Sequence, residues 1–332
     1  MNLQHLSSLT TPLGLYEHCL GTNPRVQHGY CTDDVARGLM VIERLPYKSI
    51  ETSRLASIYL DFLAEAQSLD GAMHNRRSSS GMWVDQASVS DHWGRALWAW
   101  GTSLHYGRDS SRAARSFEHF ETSARRRSPY LRSMMFAALG ASEVLRVLPG
   151  NKMAENLLIA ALETIPTSTS ARWPWPEARL TYANAAIPEV MMLGGEYFND
   201  ANLIKQGKKL LHWLVDLQSI AGRFSIIPHF GWSYGQPLPG YDQQPIEVAA
   251  LVDACCTAYE LTSDQMWREM ALIGRSWFDG NNDQGISMHD PATGAGFDAL
   301  TGTGRNENAG AESTIAYLSV VNRTELLLGV AA

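Results

Sequence analysis

Two stretches of this sequence carry carboxylates and a guanidinium at matching positions. Thr32-Asp33-Asp34-Val35-Ala36-Arg37-Gly38-Leu39 recurs as Ser90-Asp91-His92-Trp93-Gly94-Arg95-Ala96-Leu97. In each copy Asp and Arg stand four residues apart, so on a helix they share one face. Each opens on a hydroxyl residue suited to an N-cap and runs on into apolar sequence. Two carboxyl groups are the equipment for general acid–base work: one protonates a leaving oxygen while the other activates water or attacks. That chemistry suits a glycosidic bond, where carboxyl separations of ~6.5–9.5 Å imply inversion and ~5–5.5 Å retention. Asp34 and Asp91 lead the candidates for the pair, followed by Glu177, Asp242, Glu247 and Glu312.

Polar and aromatic side chains recur near these acids. His28 and Asp33 accompany the first copy, and Trp83, His92 and Arg95 the second. Trp173, Trp175, Tyr182, Asn184, Trp232, Gln243, Gln244, Arg305 and Asn308 occupy comparable places further on. Aromatic faces beside Asp, Glu, Asn and Arg suit a carbohydrate, whose rings stack and whose hydroxyls both donate and accept. Plainer roles stand beside these. Asp33 and Asp91 also suit helix starts, paired with Arg37 and Arg95. Glu247 and Glu312 lie one turn inside apolar helices, where a carboxylate needs a partner. Trp173-Pro174-Trp175-Pro176 also reads as a rigid lid, and His92 and His229 as ordinary hydrogen-bonding residues.

The elements that carry these residues are helices, because apolar residues follow helical spacing almost throughout. The spacing predicts a leading helix over Leu3–Cys19, then Asp33–Leu45, Thr52–Ser68, Asp91–His105, Ser110–Arg125, Tyr130–Leu148 and Lys152–Thr164. It continues with Asn184–Phe198, Ala201–Ser219, Gln244–Leu261, Asp264–Phe278 and Ala309–Val321. Helices apolar on all sides, such as Met134–Ala141, alternate with amphipathic ones, such as Lys205–Gln218. The expectation is all-α: one domain over residues 1–332, an (α/α)6 toroid of six inner and six outer helices, the leading helix completing the outer ring. Long loops at Leu69–Ser90, Pro166–Ala183, Ile220–Gln243 and Asn281–Asn308 precede inner helices, so the site is expected where those helices begin.

Composition narrows the partners. A net charge of -7 argues against nucleic acid. The first 20 residues lack the pattern of a signal peptide, and no stretch approaches a membrane span, so a cytoplasmic location is expected. Cys19, Cys31, Cys255 and Cys256 form no C-x-x-C pair, and no metal site is expected. Gly231-Trp232-Ser233-Tyr234-Gly235 fits a nucleophile elbow, yet Pro228 before it and Pro237 and Pro239 after it oppose the strand–turn–helix that motif requires. Gly302-x-Gly304 lacks the full glycine spacing of a dinucleotide loop, and no cofactor is expected. Asp279, Asn281, Asp283 and Asp290 match a calcium loop only in part.

At these residues the chain resembles the six-hairpin glycosidase superfamily over nearly its whole length. His28-Gly29-Tyr30-Cys31-Thr32-Asp33-Asp34-Val35-Ala36-Arg37, with Gly310-Ala311-Glu312-Ser313-Thr314, is similar to a bacterial group found beside or fused to glycosyltransferases. The resemblance implies carbohydrate work at the starts of the inner helices, by hydrolysis, hydration of unsaturated sugars or epimerisation, and a glycosyltransferase partner. The first reading is a glycoside hydrolase acting on a short oligosaccharide. A sugar epimerase or isomerase would rely on His92, His229 and His289 instead. A non-catalytic glycan-binding partner of a glycosyltransferase is the third.

Overall fold

The computed structural model describes residues 1–167, 172–238 and 240–329. Pro239 and part of the Pro166–Ala183 loop lie outside them. The described chain forms α1 (Gln4–Leu9), α2 (Thr32–Glu43), α3 (Ile50–Ala66), α4 (Asp91–Tyr106), α5 (Ser110–Ser123), α6 (Leu131–Val147), α7 (Lys152–Glu163), α8 (Ala186–Tyr197), α9 (Ala201–Leu217), α10 (Pro245–Thr262), α11 (Gln265–Phe278) and α12 (Ala311–Leu327). Short antiparallel strand pairs of two or three residues decorate the loops, such as Tyr30–Cys31 against Arg76–Arg77. No helix among the described residues is long and apolar enough to cross a membrane.

The chain gathers into two compact units, Leu6–Thr164 and Met1–His5 with Ile165–Ala332. In the first, α2, α4 and α6 lie side by side, and α3, α5 and α7 back onto them. The inner three are buried on nearly every face, whereas α5 buries only Ser116, Phe120 and Ser123. Glycines set how closely α4 and α6 approach. A Cβ on Gly94 would strike the Ser133 carbonyl, and one on Gly101 the Gly140 carbonyl. In the second unit, α10 lies between α8 and α12, with α9 and α11 outside. The amphipathic reading of α9 holds in detail: Gly207, Leu210, Leu211, Leu214 and Val215 are its buried stripe.

The leading helix is shorter than the pattern predicts. α1 ends at Leu9, and Thr10–Thr11 pairs with Gly14–Leu15 as a hairpin. Pro12 and a Gly14 φ of +135° turn the chain there, which periodicity alone does not register. The last helix runs past Val321 to Leu327, where Arg323 pairs with Asp253 at 3.2 Å and Glu260 at 3.1 Å.

Candidate functional site

The two sets of helices start differently. The outer helices α3, α5, α7, α9 and α11 are capped by the side chains of Ser49, Asp109, Asn151, Asp200 and Asp264. The inner helices α2, α4, α6, α8, α10 and α12 make no side-chain cap bond at their N-cap residues. Groups from elsewhere in the chain can then meet these helix starts, as the Asn75 carbonyl does in accepting from Thr32 N at 2.9 Å. The N-cap expectation for the repeated motif changes accordingly. Thr32 lies inside α2, and its hydroxyl donates to the His74 carbonyl at 2.7 Å; Ser90 stands at the N-cap of α4 without a cap bond.

In the first unit the motif residues interlock. Arg37 bonds both aspartates of α2, Nη2 lying 2.7 Å from Asp33 Oδ2 and 2.7 Å from Asp34 Oδ1. The first Asp–Arg pair thus forms as its spacing predicts. In the second copy Arg95 reaches across to Asp33, Nε to Oδ1 3.7 Å, while Asp91 accepts from Ser133 Oγ at 2.8 Å. These contacts tie α2 to α4 and α4 to α6 at their starts. The Arg95 guanidinium also lies over the Phe136 ring, 3.6 Å from its centroid. Ser133, Arg132 and Tyr130 mark the start of α6, a helix start that sequence reasoning left out of the site. The signal was faint: Ser128-Pro129-Tyr130 has no acidic repeat.

The electrostatics follow from these neighbours. Burial works against the charge on Asp33, but Arg37 and Arg95 outweigh it and hold its carboxyl below the usual range. Burial pushes His92 below the ordinary imidazole value, against the pull of the Met73 carbonyl and Asp33, so it is neutral at pH 7. Its Nε2 lies 2.8 Å from that carbonyl, which can only accept. The proton therefore sits on Nε2 and the lone pair on Nδ1. Burial, then the charges of Asp34, Asp33 and Glu17, push the Cys31 thiol well up, so it is no nucleophile. His28 is exposed and stands edge-on to His18.

In the second unit Glu247 anchors a buried network. Asn184 Nδ2 donates to Oε1 at 3.0 Å, Asn184 N to Oε2 at 3.3 Å, and Gln218 Nε2 approaches Oε1 at 3.5 Å. Gln243 is buried and donates to Asp283 Oδ2 at 2.9 Å and to the Gly240 carbonyl at 3.2 Å. Gln244 is the N-cap residue of α10, Asp242 is half-buried before it, and Glu312 lies in the first turn of α12. Arg305 pairs with Glu307 at 3.0 Å and covers the Phe297 ring, while the Asn308 carbonyl accepts from Asp298 N at 2.9 Å.

The tryptophans separate by exposure. Trp175 is 1% exposed and stacks on Trp213, leaving no face for a sugar ring. Trp173 is half-buried, bonds the Glu177 carbonyl at 2.7 Å and meets Trp232 at a 5.7 Å centroid distance. Trp232 is buried, whereas Tyr182 and the neighbouring Tyr234 are exposed. Trp213, on α9, completes this cluster and was missed because it reads as part of an amphipathic outer helix. Trp83 belongs to the first unit, where it stacks on His74 at 5.4 Å. Of the other histidines, His229 is exposed, and His289 pairs with Asp279 at 2.9 Å and stacks on Tyr317. Gly231–Gly235 stays in a loop. Asp279, Asp283 and Asp290 each bond protein groups: His289; Arg223, Ser225 and Gln243; and Thr293 with the Ala292 N–H.

No protein-family model matches the chain. No curated protein matches it either. Solved structures do. A sugar epimerase from a ruminal bacterium superposes with a TM-score of 0.73 at 13% identity, over 98% of this chain and 95% of that one. The cellobiose 2-epimerase of Bacillus thermoamylovorans gives 0.74 at 10% identity, over 99% and 96%. A GH76 alpha-mannanase of Bacteroides thetaiotaomicron gives 0.69 at 9% identity, over 99% and 94%. At such identities the likeness shows fold: the chain adopts the (α/α)6 toroid.

Proposed function

We propose that this chain is a carbohydrate-active enzyme, a glycoside hydrolase acting on a short oligosaccharide, with the whole of residues 1–332 serving as one toroid domain. One observation carries the reading: the acid-bearing starts of α2 and α4 are held together by the Arg95–Asp33 pair, while Ser133 orients Asp91. Two carboxyl-bearing helix starts are thereby set rigidly side by side, as cleavage of a glycosidic bond requires. In this reading Asp34 and Asp91 are the acid–base pair, and Asp33, Arg95 and Trp83 bind sugar. Trp173 is the aromatic platform of the second unit and Trp175 part of its packing. The structural likeness to a mannanase and to sugar epimerases is compatible with this reading.

A second reading, a sugar epimerase or isomerase, draws on His92, neutral at pH 7 with its lone pair fixed on Nδ1. Such a group takes a proton from a sugar carbon without prior ionisation. Proton NMR of the anomeric region during incubation with oligosaccharides and free sugars in deuterated water separates the two. New reducing-end signals, lost in D34N and D91N, support hydrolysis. Exchange at C2 without bond cleavage, lost in H92N, supports epimerisation and removes the first reading.

A further inference from the structure

Within the first unit, the segment Met73-His74-Asn75 is a strap between the starts of α2 and α4. His92 Nε2 donates to the Met73 carbonyl at 2.8 Å, Thr32 Oγ1 to the His74 carbonyl at 2.7 Å, and Thr32 N to the Asn75 carbonyl at 2.9 Å. His74 is thus held between one helix start bearing Asp33 and Asp34 and another bearing Asp91 and His92. The strap leads into a hairpin that returns through Trp83, bridged to Arg77, and on to Asp85.

The His74 side chain is set in one state. Its Nδ1 lies 3.0 Å from the Asp85 carbonyl and 3.4 Å from Asp85 Oδ1. The carbonyl accepts the bond and Oδ1 stands beside it without one, so Nδ1 holds the proton and the lone pair is on Nε2. Asp85 is fixed in turn, because its Oδ2 accepts from Asn75 N at 2.6 Å. The imidazole stacks on Trp83 at 21° between planes, and Trp83 packs edge-on against Phe62 at 5.2 Å. The His74 side chain is 28% exposed, so the ring is held yet open to solvent. A fixed acceptor behind one nitrogen, with a carboxylate beside it, and the lone pair on the other nitrogen is the arrangement of an oriented general base.

We propose that His74, oriented by Asp85, is the general base of the sugar site; this rests on the carbohydrate reading above. In hydrolysis Nε2 takes a proton from water as the water oxygen bonds to the anomeric carbon. The glycosidic C–O bond breaks, its electron pair goes to the leaving oxygen, and that oxygen takes a proton from Asp91. On this assignment Asp33 and Asp34, both bonded to Arg37, hold sugar hydroxyls; D34N loses turnover here as it does on the Asp34–Asp91 pairing, so H74N is the variant that separates the two. The titratable and charged groups nearest the strap are Asp33, Asp34 and Arg37 of α2, Glu65 of α3, Asp91, His92 and Arg95 of α4, Glu17 of the N-terminal loop, and Arg76, Arg77 and Asp85 of the hairpin.

The test uses the full chain, wild type, H74N and D85N, each checked by circular dichroism. Turnover is followed on an oligosaccharide that the wild type cleaves, with kcat and KM determined separately. H74N loses kcat by roughly 10²–10⁴-fold with KM little changed. D85N, which keeps the backbone carbonyl behind Nδ1, loses less kcat than H74N with KM little changed. A folded H74N within threefold of wild-type kcat overturns this proposal and leaves the carbohydrate reading standing. A wild type that neither binds nor converts any sugar overturns both.

Discussion

Replacing Glu247 by glutamine tests whether a candidate acid belongs to the chemistry or to the frame. Its carboxylate is 3% exposed and faces donors whose directions are already committed. Asn184 Oδ1 accepts from Thr181 N at 3.0 Å and Gln218 Oε1 from Ile227 N at 2.9 Å, so both amides turn their NH₂ groups towards Glu247. Glutamine keeps one acceptor for the two amides at Oε1 and must place its own NH₂ at Oε2, against the Asn184 backbone N–H. The loss is one charge-assisted bond, about 1.5–3 kcal/mol, plus a buried donor left without an acceptor, about 1–3 kcal/mol. Part of this is recovered by small shifts, so the expected destabilisation is about 3 kcal/mol. Urea unfolding at pH 7, followed by tryptophan fluorescence and circular dichroism, reads this as a lower midpoint at constant slope. A change under about 0.5 kcal/mol, within ordinary surface scatter, would refute the argument. If activity vanished while the midpoint stayed, Glu247 would be returned to the catalytic candidates.

Other perturbations probe separate parts of the argument. R37M strips the cation shared by Asp33 and Asp34 and should cost about 3–5 kcal/mol, read by the same unfolding curve; a neutral result would mean the carboxylates do not depend on it. G101A forces a methyl against the Gly140 carbonyl and should cost about 1–3 kcal/mol, whereas G302A, whose added methyl meets only the Tyr241 ring at 3.6 Å, should not show a packing clash. Burial opposes the charge of Glu143, but the His105 bond and Arg44 hold its carboxyl down to about 2. Its contribution to stability is therefore complete above the ordinary carboxylate value of 4.5 and is lost as pH falls from there towards about 2. E143Q should flatten that acid limb in melts between those values; an unchanged limb would show that other carboxylates set it. W175A should lower stability by about 3–5 kcal/mol, while W173A should weaken sugar binding more than folding; the reverse ranking in calorimetry and melts would exchange their roles.

Helix identity and order were legible in the sequence because each helix buries a face, and burial imposes a 3.6-residue period on composition. The division into apolar inner and amphipathic outer helices came from the same signal, as the buried stripe of α9 and the almost wholly buried α2 show. The acidic starts of α2 and α4 were legible as a repeat. Partner choice was not. Sequence spacing treats Asp33–Arg37 and Asp91–Arg95 alike, yet only the tertiary structure sends Arg95 to Asp33 and Asp91 to Ser133, because the glycine-lined approach of α4 to α6 brings Ser133 within reach. Trp175 and Trp173 are equivalent in the sequence, two residues apart, and differ only in what packs over them. His74 and Asp85 stand eleven positions apart in a loop without periodicity, and a hairpin makes them neighbours. Local pattern determines which elements form; which charges meet depends on contacts between elements that no local pattern encodes.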